Sequence, residues 1–152
     1  MITIREGVFS SAELLADCES QHPGMGAVVS FTGKMRDTGE TGAKLQSLYL
    51  EHYPGMTEQV LEHILTITQD RLKVHEIVVH HRVGEILPDE PIVFVAVIAE
   101  HRKAAFDACM MVMDYLKNQA PFWKKEIYLD GSEYWVKQKI TDVLAMKHWH
   151  SD

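Results

Sequence analysis

The chain has 152 residues, enough for one domain with a sizeable core and short for two. Hydrophobic residues make up 46% and charged residues 24%, ordinary globular usage that excludes a disordered or fibrous chain. Fifteen Lys and Arg against 22 Asp and Glu give a net charge of -7, which disfavours a general nucleic-acid binder, because such a protein needs a basic surface to displace counterions.

No repeat, low-complexity tract or Pro/Ser-rich linker divides the sequence, so residues 1–152 read as a single domain. Ser10-Ser11-Ala12-Glu13 has capping-box spacing before Leu14, Leu15 and Cys18, which predicts a first helix ended by Pro23-Gly24. Gly26 to Gly33, β-branched and Gly-bounded, reads as a strand. Arg36 to Lys44 (RDTGETGAK) has no apolar side chain larger than Ala and is expected to be a mobile loop. Leu45 to His52 reads as a strand closed by Pro54-Gly55. From Thr57, apolar residues Val60, Leu61, Ile64, Leu65 and Leu72 recur at helical spacing.

Val74 to Val83 and Pro91 to Ala99 read as two strands around a turn at Pro88-Asp89. The second is apolar throughout, so it should be central and covered on both faces. It is also the longest apolar run, about half the ~20 residues a membrane helix requires. His101 to Gln119 returns to helical periodicity and stops at Pro121, because the residue before a proline is pushed from helical geometry. Ile127-Tyr128-Leu129 and Tyr134-Trp135-Val136 flank Asp130-Gly131 as a hairpin. This order predicts an α+β domain, a largely antiparallel sheet with helices packed on it. The opening MITIREGVFS lacks a secretory pattern, and Cys18 and Cys109 form no disulfide framework. A soluble, reduced, cytoplasmic protein is expected.

Several residues invite a chemical reading. His80-His81-Arg82 looks metal-like, but successive strand side chains point to opposite faces and cannot share one ion, so no metal site is expected; a sheet-surface or cross-strand role is. His148-Trp149-His150 reads as a polar tail. Cys109 and the Met110, Met111 and Met113 cluster read as core, with one Met able to line a pocket. His101-Arg102 falls where a strand gives way to a helix. There it either completes an anion site or stays solvated. Lys34 and Arg36 open the Gly/Thr loop, which either folds over an anionic ligand or is an ordinary solvated loop. Lys117 and Lys124 flank the break at Pro121 in LKNQAPFWKKE. They are either solvated or share a pocket wall, where close ammonium groups would depress each other's pKa.

The segments GAVVSFTGKMRD, LYLEHYPGM, HHRVGEI, AEHRKAAFDA, MDYLKNQAPFWKKE and YWV resemble, in the same order, signature segments of the MoaE family, the large catalytic subunits of molybdopterin synthase. The resemblance implies an α/β hammerhead fold and an enzyme, a sulfurtransferase of molybdenum cofactor biosynthesis. It would install two sulfurs on cyclic pyranopterin monophosphate, each carried as a thiocarboxylate on the C-terminal Gly-Gly of a small ubiquitin-like subunit. It implies a homodimer within a heterotetramer and no cofactor. Lys117 and Lys124 match the family's catalytic lysines, and Lys124 is open to a transient covalent bond with the partner's terminus. Arg36, His101 and Arg102 match its substrate-anchoring residues, with Phe31 and Met113 at the pocket. Lys139 stands nearest to where the family often places an arginine across the dimer. It keeps the charge and loses the planar two-pronged donor. Other readings are a non-catalytic anion-binding adaptor and an unrelated phosphohydrolase, the latter lacking metal ligands and a nucleophile motif.

One geometric argument stands apart from the resemblance. His101 and Lys117 lie sixteen residues apart on one helix, roughly 24 Å at 1.5 Å per residue. A pterin phosphate cannot touch both from one chain, so a site using both must be shared about a two-fold axis.

Overall fold

The computed structural model describes residues 1–137 and 140–150. The chain opens with β1 (Ile2–Arg5) and α1 (Ser11–Gln21), followed by β2 (Ala27–Lys34) and β3 (Leu45–His52). Helix α2 (Met56–Leu72) leads into β4 (Glu76–Arg82), β5 (Gly84–Ile86) and β6 (Pro91–Ala99). Helix α3 (Arg102–Asn118), β7 (Phe122–Tyr128), β8 (Glu133–Trp135) and α4 (Ile140–His148) complete it. The α+β reading holds. The strands divide between two four-stranded sheets, however, ordered β1-β4-β6-β2 and β5-β3-β7-β8. Among the described residues β1 and β4 pair in parallel, and the other neighbours are antiparallel.

Period-two alternation on β6 builds two cores from one strand. Val93, Val95 and Val97 meet Leu61 and Ile64 of α2 and Ala105, Ala108 and Val112 of α3. Phe94, Ala96 and Ile98 meet Phe9 and Cys18 on the opposite face. The central, doubly covered strand is thus confirmed. The expected cap also forms, with Ser10 Oγ accepting from the Glu13 amide at 3.3 Å. A third cluster of Met35, Leu45, Leu48, Leu50, Ile86 and Tyr128 belongs to the second sheet.

Three elements were absent from the sequence reading. Strand β1 is short and lies at a sheet edge, so its four residues give little periodic signal. Strand β5 exists because Gly84, at φ +81°, turns the chain off β4 and onto β3 of the other sheet. Helix α4 spans residues for which no element was expected, and the His148-Trp149-His150 segment at its end, expected to be a polar tail, is held in place. Trp149 Nε1 donates to the Asp114 carboxylate at 2.6 Å, its carbonyl accepts from Arg71, and Asn118 donates to the Asp142 carbonyl at 2.6 Å. These polar anchors come from α2 and α3 and have no periodic signature.

Candidate active site

The break at Pro121 is fixed from outside. Thr57 Oγ1 accepts from the Tyr53 amide at 2.9 Å and donates to the Pro121 carbonyl at 3.2 Å. This ties the end of α3 and the start of β7 to the N-terminus of α2. Lys117 occupies the last turn of α3, where the helix dipole favours a cation. On β7, alternation sends Phe122, Lys124 and Glu126 toward one face. Lys125 points to the other, its Nζ 5.8 Å and 5.5 Å from the ring centroids of Tyr49 and Trp135 and 3.4 Å from Glu133. Adjacent lysines therefore have different surroundings.

Between the sheets and the C-terminal end of α3 lies a cavity of about 720 Å³, a volume suited to a small-molecule ligand. Phe31, Arg36, Met113, Lys117 and Lys124 all line it, so five candidate site residues from three parts of the chain converge. Lys34 and Lys137 add positive charge, and Glu40, Glu126 and Asp142 add acidic side chains. Of the methionine cluster, Met113 lines the cavity, Met111 is buried as core, and Met110 is exposed.

The loop from Arg36 to Lys44 was expected to be mobile for want of apolar anchors. The structure ties it down with polar ones. Thr38 bridges Lys44, the Leu45 amide donates to the Asp37 carbonyl at 2.8 Å, and Lys44 pairs with the Asp37 carboxylate at 2.6 Å. That ammonium and the Thr38 hydroxyl hold the Asp37 carboxyl below its usual range. From β7, the buried Glu126 carboxylate accepts the Glu40 amide at 3.0 Å and the Tyr128 hydroxyl at 2.7 Å. The Tyr128 oxygen in turn accepts from the Thr41 amide at 3.4 Å. Arg36 stays largely exposed at the cavity mouth, 3.9 Å from Glu40.

The two adjacent histidines of β4 do face opposite ways, but neither lies on an open sheet surface. Each is 7% exposed. His80 sits between Phe9 and Phe94, and His81 stacks on Phe122 with centroids 3.8 Å apart and planes at 11°. His81 also lines the cavity, and sequence reasoning missed it, as it missed Glu126. The signal for Glu126 was available in the period of two from Lys124.

His101 and Arg102 are exposed at the opposite end of α3 and do not line the cavity. One chain brings together the lysines, Phe31, Arg36 and Met113, but not the His101-Arg102 pair. Lys139 lies outside the described residues. Cys109 is core, its thiol pushed up to about 11 by burial, which leaves no reactive thiolate near neutral pH. None of the described helices is long and apolar enough to cross a membrane.

Comparison with known proteins identifies the family. The family described as MoaE protein matches residues 4–119. The molybdopterin synthase catalytic subunit of Pseudomonas aeruginosa is 43% identical over 148 residues, 97% of each chain. That of Escherichia coli is 46% identical over 124 residues, covering 82% of this chain and 81% of the relative. The solved molybdopterin biosynthesis MoaE protein of Burkholderia ambifaria superposes with a TM-score of 0.83 at 41% identity, covering 100% of this chain and 99% of the other. The match in sequence and fold extends over nearly the whole chain, and the protein belongs to the MoaE family.

Proposed function

We propose that this chain is the catalytic subunit of a molybdopterin synthase, transferring two sulfurs to cyclic pyranopterin monophosphate from the thiocarboxylate of a small ubiquitin-like subunit. The observation that carries the reading is the convergence of Lys117 and Lys124 on one cavity with Phe31, Arg36 and Met113, in a chain of this family. Lysines suit the chemistry. As sulfur enters and a phosphate-ester linkage is lost, negative charge develops and protons move. A positioned ammonium stabilises that charge and donates a proton, and its neutral form accepts one. Arg36 offers a forked donor to the phosphate at the cavity mouth. A net charge of -7 around a locally cationic cavity favours a small anion over a polyanion. The partner's Gly-Gly tail enters the same cavity, since it has no side chains to clash. The enzyme works in the cytoplasm without a resident cofactor.

His101 and Arg102 lie roughly 24 Å along α3 from Lys117. In this reading they serve the cavity of a second copy, so the working unit is a homodimer flanked by two small subunits. Lys139, the residue nearest the family's arginine, would add charge from across the dimer.

The test is single-turnover conversion of cyclic pyranopterin monophosphate with thiocarboxylated partner. Lys117→Ala and Lys124→Ala should each lose about 100-fold or more in rate. Lys125→Ala, on the other face of β7, should stay within about threefold. Wild-type rates in Lys124→Ala would refute the catalytic assignment. Partner binding without turnover in the wild-type protein would mark an adaptor.

A further inference from the structure

The motif His80-His81-Arg82 has no part in the function proposed above, yet one of its members is built into the cavity wall. Arg82 is committed to structure: it pairs with Glu90 at 2.6 Å and donates to the carbonyls of Glu6 and Glu85. His80 faces the core between two phenylalanines. His81 faces the cavity shared with Lys117 and Lys124. Its Nδ1 lies 2.8 Å from the Arg82 carbonyl. A carbonyl only accepts, so Nδ1 carries the hydrogen and Nε2 carries the lone pair. The stack on Phe122 fixes the ring plane. No described residue bonds Nε2, yet Nε2 is not sealed off; the only sealed, unpartnered side-chain nitrogen or oxygen among the described residues is His80 Nδ1. In a residue that lines the cavity, that lone pair is open to it.

In their charged forms Lys34, Arg36, Lys117 and Lys124 around this cavity are donors only. They suit the anionic end of a ligand. A neutral nitrogen lone pair cannot bind a phosphate oxygen and requires an N–H or O–H from its ligand. We propose that His81 is a substrate-binding acceptor, its Nε2 taking a hydrogen bond from an N–H or O–H on the heterocycle of the anionic substrate and so fixing the substrate's orientation beneath the lysines. This rests on the function proposed above and adds a residue to it. Burial, with Lys124 and Lys117 nearby, lowers the imidazole pKa to about 3, so the acceptor persists at any working pH.

Three substitutions separate this role from packing. His81→Phe keeps the ring and its stack and removes the acceptor. His81→Asn keeps a donor for the Arg82 carbonyl and has no atom where Nε2 stands. His81→Gln can place its amide oxygen there. In steady-state assays with thiocarboxylated partner, the Phe and Asn variants should lose about 10- to 100-fold in kcat/KM, and Gln should recover most of it. A packing role gives the reverse order, with Phe best and Gln worst, and that order would overturn the proposal. Wild-type kcat/KM in a folded His81→Phe variant would do the same while leaving the proposed function standing. Failure of the wild-type protein to turn over would remove the function and this proposal together. A second readout is independent of turnover. In 15N-histidine-labelled wild-type protein, His81 Nε2 should stay unprotonated between about pH 5 and pH 8 and change shift when cyclic pyranopterin monophosphate is added without partner. A protonated Nε2, or no change at saturating substrate, refutes it.

Discussion

Replacing His81 by Phe should flatten the dependence of stability on acid. In the folded chain desolvation is the main cause that drives the His81 pKa down to about 3, and Lys124, Lys117 and His52 push the same way while the Arg82 carbonyl opposes. In the unfolded chain the same group titrates near 6.5. Below about pH 6.5 the unfolded chain therefore binds a proton that the folded chain refuses, and stability falls as pH drops until about pH 3. Between about pH 7.5 and pH 5 the difference amounts to roughly 1.5 logarithmic units, or about 2 kcal/mol. Burial lowers the His80 pKa as well, so the wild-type loss contains a second contribution of the same sign. Only the difference between proteins isolates His81. Urea unfolding of wild type and His81→Phe at the two pH values, at one fixed chain concentration, measures it. Wild type should lose about 2 kcal/mol more than the variant. Equal losses would show that His81 takes up its proton in the folded state, and the neutral acceptor would be refuted with it.

Tyr128→Phe removes the hydroxyl that donates to Glu126 at 2.7 Å, which should weaken the loop clamp by about 1–2 kcal/mol and speed exchange of the Glu40 and Thr41 amides roughly tenfold; unchanged exchange would refute the clamp. Gly39→Ala should have a larger effect on the same amides, because its Cβ would fall 2.5 Å from the Tyr128 oxygen. For the shared site, Arg102→Ala and Lys117→Ala homodimers should each be inactive, whereas verified mixed dimers should regain up to about half the wild-type activity, since one cavity then receives both intact residues. Confirmed mixed dimers without recovery would reject the two-fold arrangement.

The parts of the fold legible in the sequence are those where one period decides. The apolar run of β6, the helical spacing of α2 and α3 and the stop at Pro121 all follow from local pattern. The division into two sheets does not. It turns on Gly84, one residue whose backbone angle sends β5 to a different partner, and no hydrophobic pattern reports that. The loop misled for a related reason. Its anchors, Glu126 and Tyr128, stand 86 or more residues away and are polar, so a search for apolar contacts within the loop could not find them. In the site, Lys117 and Lys124 were legible as a pair around a proline, but spacing alone left a solvated pair open. His81 was read as half of a metal pair or, in preference, as a sheet-surface or cross-strand residue. The premise used against the metal, that the two rings face opposite ways, holds in the structure. It also removed from view the question of what the inward-facing member meets.

The polarity of α3 gives the proposed dimer a direction. At its C-terminal end the negative pole of the dipole favours the Lys117 ammonium. At its N-terminal end, where His101 makes no side-chain cap bond, the positive pole of the dipole favours an anion, and Arg102 adds a forked donor there; no acidic residue in that first turn opposes it. Two copies related by a two-fold axis can set the N-terminal end of one α3 near the C-terminal end of the other. A substrate held between them then has its phosphate drawn toward Arg102 of one copy and its reacting carbons toward Lys117 and Lys124 of the other. The reverse placement would set the phosphate at the C-terminal end of α3, against the helix dipole. His81 reinforces the first placement, because its lone pair accepts from the heterocycle and repels the phosphate. Two independent features, a helix dipole and a fixed imidazole tautomer, thus select the same orientation, and the orientation puts sulfur entry beside Lys117 and Lys124.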